Sequence, residues 1–174
     1  VELRVYDSIA SIPQPAWDAL LDGEATPFLR WHWLEALETS GCATAETGWQ
    51  ALHLTLWRGR ELVAAAPAYV KQDSDGDFSR DWGWAESAMR ARIAYYPKLV
   101  LTVPFTPCTG RRILVRAGED RAECTEILAA GALEICADSG ISSVHALFPL
   151  ADEAALLETA GLAKRVSYQY HWKN

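Results

Sequence analysis

The chain has one methionine, no Cys-x-x-Cys pair, no long apolar run and no surplus of basic charge. Each shortage closes off a class. No stretch approaches the ~20 apolar residues that span a bilayer, so no transmembrane segment is expected. Residues 1–30 lack a basic start followed by an unbroken apolar stretch, so no secretory signal is read there. With Val1 in front and the one methionine at Met89, the native start is expected to have been trimmed. Cys42, Cys108, Cys124 and Cys136 lie far apart, with no histidine at metal-ligand spacing. A chain of 174 residues can build a core without disulfide staples, so reduced thiols and a cytoplasmic location are expected. A net charge of −7 argues against a general nucleic-acid binder, and no DNA partner is expected.

What is present is a composition of 50% hydrophobic and 22% charged residues, which fits a single globular domain over 1–174. The charge is uneven. Arg90, Arg92, Lys98, Arg111, Arg112, Arg116 and Arg121 stand against only Glu119 and Asp120, giving residues 90–121 a surplus of basic charge in an acidic chain. That segment either attracts a phosphate-bearing ligand or forms a solvated rim paired with acidic neighbours.

Along the chain, residues 2–6 read as a strand. Pro15 opens a helix that puts Trp17, Leu20 and Leu21 on one face, and Gly23 ends it. Thr26-Pro27 starts a second helix, from about Phe28 to Thr39, burying Leu29, Trp33 and Leu37. Residues 51–57 alternate, Leu52, Leu54 and Leu56 against His53, Thr55 and Trp57, and return through Arg58-Gly59-Arg60 as a strand over 62–70: a β-hairpin. Asp73 to Asp77 reads as a solvated turn, and 78–92 as irregular or partly helical. Strands over 99–103 and 113–115 bracket a proline loop. The strongest helix runs from Arg121 to Asp138 and stops at Ser139-Gly140. A strand over 143–148, a short helix capped by Asp152, and a last strand from Lys164 to Trp172 complete the chain. The order is that of a layered α/β (α+β) fold, a mixed and mostly antiparallel sheet flanked by helices, as in acyltransferases of the N-acetyltransferase type.

The densest block for function is 95–112, Tyr-Tyr-Pro-Lys-Leu-Val-Leu-Thr-Val-Pro-Phe-Thr-Pro-Cys-Thr-Gly-Arg-Arg. Pro104 and Pro107 stiffen the loop and Gly110 offers a positive-φ position. Tyr95, Tyr96, Lys98, Thr106, Thr109, Gly110, Arg111 and Arg112 are therefore the candidate substrate-binding residues, with both arginines expected to hold phosphate or carboxylate. Asp81, Trp82 and Trp84, with Gly83 between the indoles, either wall a groove or belong to a core or domain interface.

Other motifs fail. Asp73-Ser74-Asp75-Gly76-Asp77 lacks glycine and glutamate at the sixth and twelfth positions of a calcium loop, where Phe78 and Trp84 stand. His32, His53, His145 and His171 form no metal triad, so no metal is expected. No Gly-x-Ser-x-Gly elbow occurs, and Cys108 has no histidine beside it to act as base. The turn before the long helix, Arg116-Ala117-Gly118-Glu119-Asp120-Arg121, departs from the Arg/Gln-x-x-Gly-x-Gly/Ala device that holds the coenzyme A pyrophosphate, and its acids repel an anion there.

Trp17-Asp18-Ala19-Leu20, Pro27-Phe28-Leu29, Ala36-Leu37-Glu38-Thr39-Ser40-Gly41, Thr47-Gly48-Trp49-Gln50, Ala66-Pro67-Ala68-Tyr69-Val70-Lys71, Asp81-Trp82-Gly83-Trp84-Ala85, the 95–110 block and Gln169-Tyr170-His171-Trp172 together resemble the N-terminal half of the FemAB-like family of the GNAT acyltransferase superfamily. The resemblance implies a GNAT-like domain, with the family's second GNAT-like domain absent from this chain and expected as its partner. It implies acyl or aminoacyl transfer to an amine, a peptidoglycan precursor as acceptor, and acyl-CoA or aminoacyl-tRNA as donor for the longer protein, with no cofactor bound by this domain. The catalytic base is unassigned, and this half alone is expected to be inactive. A non-catalytic recognition module and a coenzyme A-dependent small-molecule N-acetyltransferase are the alternatives.

Overall fold

The structure, a computed structural model, describes residues 1–166, 168, 170 and 172. The elements are β1 (Glu2–Tyr6), α1 (Gln14–Asp18), α2 (Trp31–Thr39), β2 (Gln50–Ala51), β3 (His53–Arg58), β4 (Glu61–Ala66), β5 (Ala68–Lys71), α3 (Trp82–Arg90), β6 (Lys98–Leu101), β7 (Leu114–Val115), α4 (Arg121–Ser139), β8 (Val144–Ala146) and α5 (Ala151–Thr159).

The hairpin forms over the expected span but serves two sheets. Its outer halves, β3 and β4, pair between β1 and β7, while β2 and β5 extend into a second sheet ordered β2-β5-β6-β8. The division falls at Leu52 and Pro67. Proline has no N–H to give a neighbouring strand, its carbonyl accepts instead from Thr102 (3.1 Å), and Leu52 N–H keeps the ladder continuous through Ala68 O (2.8 Å). All pairings are antiparallel except β6 with β8.

Both faces of the hairpin are covered. On one, Leu54, Leu56, Val63 and Ala64 meet Leu128, Ala132 and Cys136 of α4 and Leu157 of α5. On the other, Trp57, Leu62 and Ala65 meet Trp17, Leu20, Leu29 and Leu34. Fully burying side chains of this size contributes roughly 1.5–3 kcal/mol each. The expected polar face of His53, Thr55 and Trp57 is therefore inside: helices pack on both sides of the sheet. Helix α4 lies close to β1 at Gly131, where a Cβ would collide with Leu3 Cδ2. Its N-terminus is capped by Asp120, which accepts from Ala122 N (2.8 Å) and Glu123 N (3.1 Å), and Gly140 ends it at φ 67°.

The helix expected over 28–39 is broken. A 3₁₀ turn, Pro27–Leu29, is followed by extended Arg30 and then α2. The break turns Leu34 inward and leaves Trp33 half exposed, edge-on to Phe28. The strand expected over 164–172 falls partly outside the described residues; those described, 164–166, 168, 170 and 172, belong to no strand.

Candidate functional site

Two lysines stand directly opposite each other on β5 and β6, Lys71 and Lys98, and both are fully buried. Like charges so placed repel, and the segment 73–81 exists to hold them apart. Lys71 Nζ bonds Gly48 O (3.1 Å) and Asp75 O (2.9 Å), lies 3.4 Å from Asp73 Oδ1, and sits 3.8 Å over the Trp49 ring. Burial lowers its pKa, against the pull of Asp73. Lys98 Nζ donates to Ser74 Oγ (2.7 Å) and pairs with Asp77 Oδ2 (2.8 Å) and Asp81 Oδ2 (2.6 Å). The acidic turn is thus no solvated loop: Ser74 and Asp77 are buried and neutralise a strand lysine. Gly76 is required where this turn meets Phe105, because its φ is +74° and a Cβ would stand 2.7 Å from Phe105 Cε1.

Tyr95 and Tyr96 cover this network. Tyr95 OH donates to Asp81 Oδ2 (2.8 Å), and Tyr96 OH shares a 2.7 Å bond with Ser74 Oγ. Burial raises the Asp81 carboxyl, but bonds from Lys98, Ser74 and Tyr95 outweigh it and hold the group far below its usual value. Burial and then Asp81 push the Tyr95 phenol up, so it stays protonated. His145, edge-on to Tyr95 at 5.9 Å, is drawn down to about 4, first by burial and then by the Lys98 charge. The two tyrosines, with Ala85, Glu86, Met89 and Ile93, line a groove of about 490 Å³. The structure brings the candidates Tyr95, Tyr96, Lys98 and Asp81 together, with Lys98 and Asp81 fully buried beneath the tyrosines. Trp82 and Trp84 lie exposed on α3, beside the groove lining.

The remaining candidates form a second locus that faces inward. Where β8 leaves β6, the segment 108–112 runs along it: Gly110 N donates to Phe148 O (3.1 Å) and Arg112 Nε to Leu147 O (2.5 Å). Arg112 also donates to Arg111 O (2.7 Å) and Cys108 O (2.6 Å), and burial pulls its pKa down to about 10. Arg111 is buried too, bonded to Asp152 (2.8 Å) and 3.4 Å from Asp22. The expected anion clamp is corrected: both arginines are buried, Arg112 donating to loop carbonyls that a chain crossing a strand gap leaves in need of donors and Arg111 pairing with acidic side chains. Gly110 is not in the positive-φ region; it is small because a Cβ would meet Thr26 Cγ2 at 3.0 Å. Thr106 Oγ1 turns back to Pro104 O (2.9 Å), and Thr109 is exposed.

Sequence reasoning missed Ser74, Asp77, Lys71 and Glu153. Glu153 accepts the Ile113 and Arg112 N–H groups, one on each carboxylate oxygen (2.8 Å each), and burial raises its pKa against those bonds. Its only local signal is a carboxylate in the first turn of α5, which reads equally as a dipole partner. His53, expected on a polar face, is buried between Glu38 (2.9 Å) and the Ala68 N–H (3.3 Å), which fixes its proton on Nε2.

A family model described as FemAB-like, peptidoglycan biosynthesis/recognition, matches residues 8–174. The chain belongs to the FemAB-like family. Its fold is that of GNAT acetyltransferases. The aminoglycoside antibiotic 6'-N-acetyltransferase AAC(6')-IG from Acinetobacter haemolyticus, in its apo form, matches this FemAB-like chain with a TM-score of 0.56 at 14% identity, over 100% of this chain and 99% of that one. A putative acetyltransferase from Agrobacterium tumefaciens gives 0.53 at 15% identity, over 99% and 100%. Among curated proteins, none matches the chain. Among the described residues, no helix is long and apolar enough to cross a membrane.

Proposed function

We propose that this FemAB-like chain is the acceptor-recognition domain of an amine-directed acyl- or aminoacyl-transferase that modifies peptidoglycan precursors in the cytoplasm. The carrying observation is a contrast. The groove beneath α3 is open, whereas the start of α4 has its N–H groups occupied by Asp120. An anion such as a pyrophosphate needs such N–H groups free. An amine-bearing chain suits the groove, since the Tyr95 and Tyr96 rings in its lining attract a cation. The amine attacks an activated carbonyl and sheds a proton; positioning is this domain's contribution. The donor, acyl-CoA or aminoacyl-tRNA, and the base belong to a second GNAT-like domain of the same protein, so this half alone is inactive.

A second reading, a coenzyme A-dependent small-molecule N-acetyltransferase, is favoured by the full-length match to the aminoglycoside enzyme. Thermal shift separates them. The proposal expects a muropeptide precursor to raise the melting temperature, acetyl-coenzyme A and phosphate to leave it unchanged, and Tyr95→Ala with Tyr96→Ala to abolish the response. Stabilisation by acetyl-coenzyme A alone establishes the second reading instead.

A further inference from the structure

Helix α3 buries none of its residues. A helix of nine residues is marginal in water without packing, yet this one carries Trp82 at 59%, Trp84 at 61% and Met89 at 70% exposure, and Ile93 just beyond it at 64%. Trp82, Ala85 and Met89 fall at i, i+3 and i+7 and form one apolar stripe, with Ile93 exposed just past the end of the helix. Trp84 lies on the flank, where the Arg165 guanidinium stands 5.8 Å from its ring.

Among the described residues, the unpaired charges bracketing the stripe are of one sign. Arg80 and Arg92 bracket the helix, both exposed, and among the described residues neither is paired with a carboxylate. Asp81 is spent on Lys98 inside, and Glu86 is spent on Arg90 (2.5 Å). A protein of net charge −7 thus presents a locally cationic, tryptophan-bearing edge. Both bracketing arginines, and Phe78 before them, adopt left-handed backbone conformations, φ 53°, 58° and 59°. Such conformations in bulky residues carry strain of about 1 kcal/mol or more each and cluster where function requires a fixed presentation.

We propose that α3 and its flanks dock on an anionic lipid bilayer surface, with Trp82, Met89 and Ile93 entering the interface and Arg80 and Arg92 engaging lipid headgroups. Indole side chains favour the headgroup level, and an apolar stripe flanked by arginines is the pattern of a helix lying in the interface plane. The anionic surface repels the rest of the molecule, so charge alone orients this edge toward lipid. A second copy of the chain would bring the same arginines together and is disfavoured. Met89 and Ile93 also line the groove assigned to the acceptor, and lipid binding is tested with no acceptor present.

The test is co-sedimentation of the chain with vesicles of phosphatidylcholine alone and of phosphatidylcholine mixed with phosphatidylglycerol, with tryptophan emission as a second readout. Binding to the anionic vesicles, a blue shift, and at least tenfold weaker binding at high salt are expected. Met89→Glu should weaken binding at least tenfold, and Arg80→Gln with Arg92→Gln should remove the preference for anionic lipid. These side chains are exposed, so the variants should retain the wild-type melting temperature and circular dichroism. Absence of binding to anionic vesicles overturns the proposal. So does binding that Met89→Glu leaves unchanged, or a concentration-dependent dimer that Met89→Glu dissolves without any lipid binding.

Discussion

A lysine ammonium withdrawn from water loses several kcal/mol of hydration, which its neighbours must replace. Lys98 recovers it from Ser74, Asp77 and Asp81, all within 2.8 Å. The interaction is mutual, because without the ammonium both carboxylates are buried and uncompensated. Lys98→Met keeps the stem and removes the charge; it should destabilise the protein by about 3–5 kcal/mol in urea unfolding. A loss below about 1 kcal/mol would mean that water or protons replace the lysine at those carboxylates. None of this is visible locally. In the sequence, Lys98, Arg111 and Arg112 are three basic residues near prolines, equally suited to a ligand. What separates them is partners far along the chain, Asp81 for Lys98, Asp152 for Arg111 and the Leu147 carbonyl for Arg112. Tyr95 and Tyr96 stand out in the sequence because paired aromatics at a strand entry are large whichever way they face, and in the structure they border both the network and the groove.

Elements whose limits are set by their own residues were readable. Asp120, the spacing of Cys124 and Leu128, and Gly140 define α4 almost to its ends, and Arg58-Gly59-Arg60 turns the hairpin where expected. Elements set by tertiary demand were not. The split at Pro67, the break at Arg30 and the return of residues 102–120 to pair β7 with β4 depend on what lies opposite. That return is clamped by one side chain. Glu153 offers two carboxylate oxygens to two buried N–H groups, whereas glutamine offers a single acceptor oxygen. Glu153→Gln should therefore orphan one N–H and cost about 1–3 kcal/mol, although it also removes a buried charge. Amide exchange locates the effect: protection should fall at Arg112 and Ile113 while that of α4 follows only the global stability. Equal loss everywhere would mean that Glu153 supports α5 as a whole and not this segment.

At the scale of the molecule, two sheets share one hairpin, so neither can unfold without the other and a single cooperative transition is expected. Its pH dependence follows from groups on both sheets. His145 titrates near about 4 in the folded state, below the ~6.5 of an unfolded chain. Between those values the unfolded state binds more protons, so stability is full above about pH 6.5 and declines as pH falls toward 4, by up to about 3 kcal/mol. Asp81 and Glu38 also have lowered values; in Glu38, burial is outweighed by bonds from His53 and Ser8. Their contribution is present above the ordinary carboxylate range and is lost below about pH 4. Glu153, raised by burial, acts in the opposite sense: its folded state takes up a proton first as pH falls toward the ordinary carboxylate range, so it offsets part of the upper decline and leaves the lower one unchanged. Urea unfolding across pH 7 to 3 should therefore show two successive declines. His145→Gln can keep a bond to Ser143 without titrating, and it should flatten the upper decline while leaving the lower one in place. If the variant and the wild type lose stability in parallel from pH 6.5 to 4, His145 is not the group whose burial sets the upper limb, and the packing of Tyr95 over β8 is looser than its edge-on contact implies.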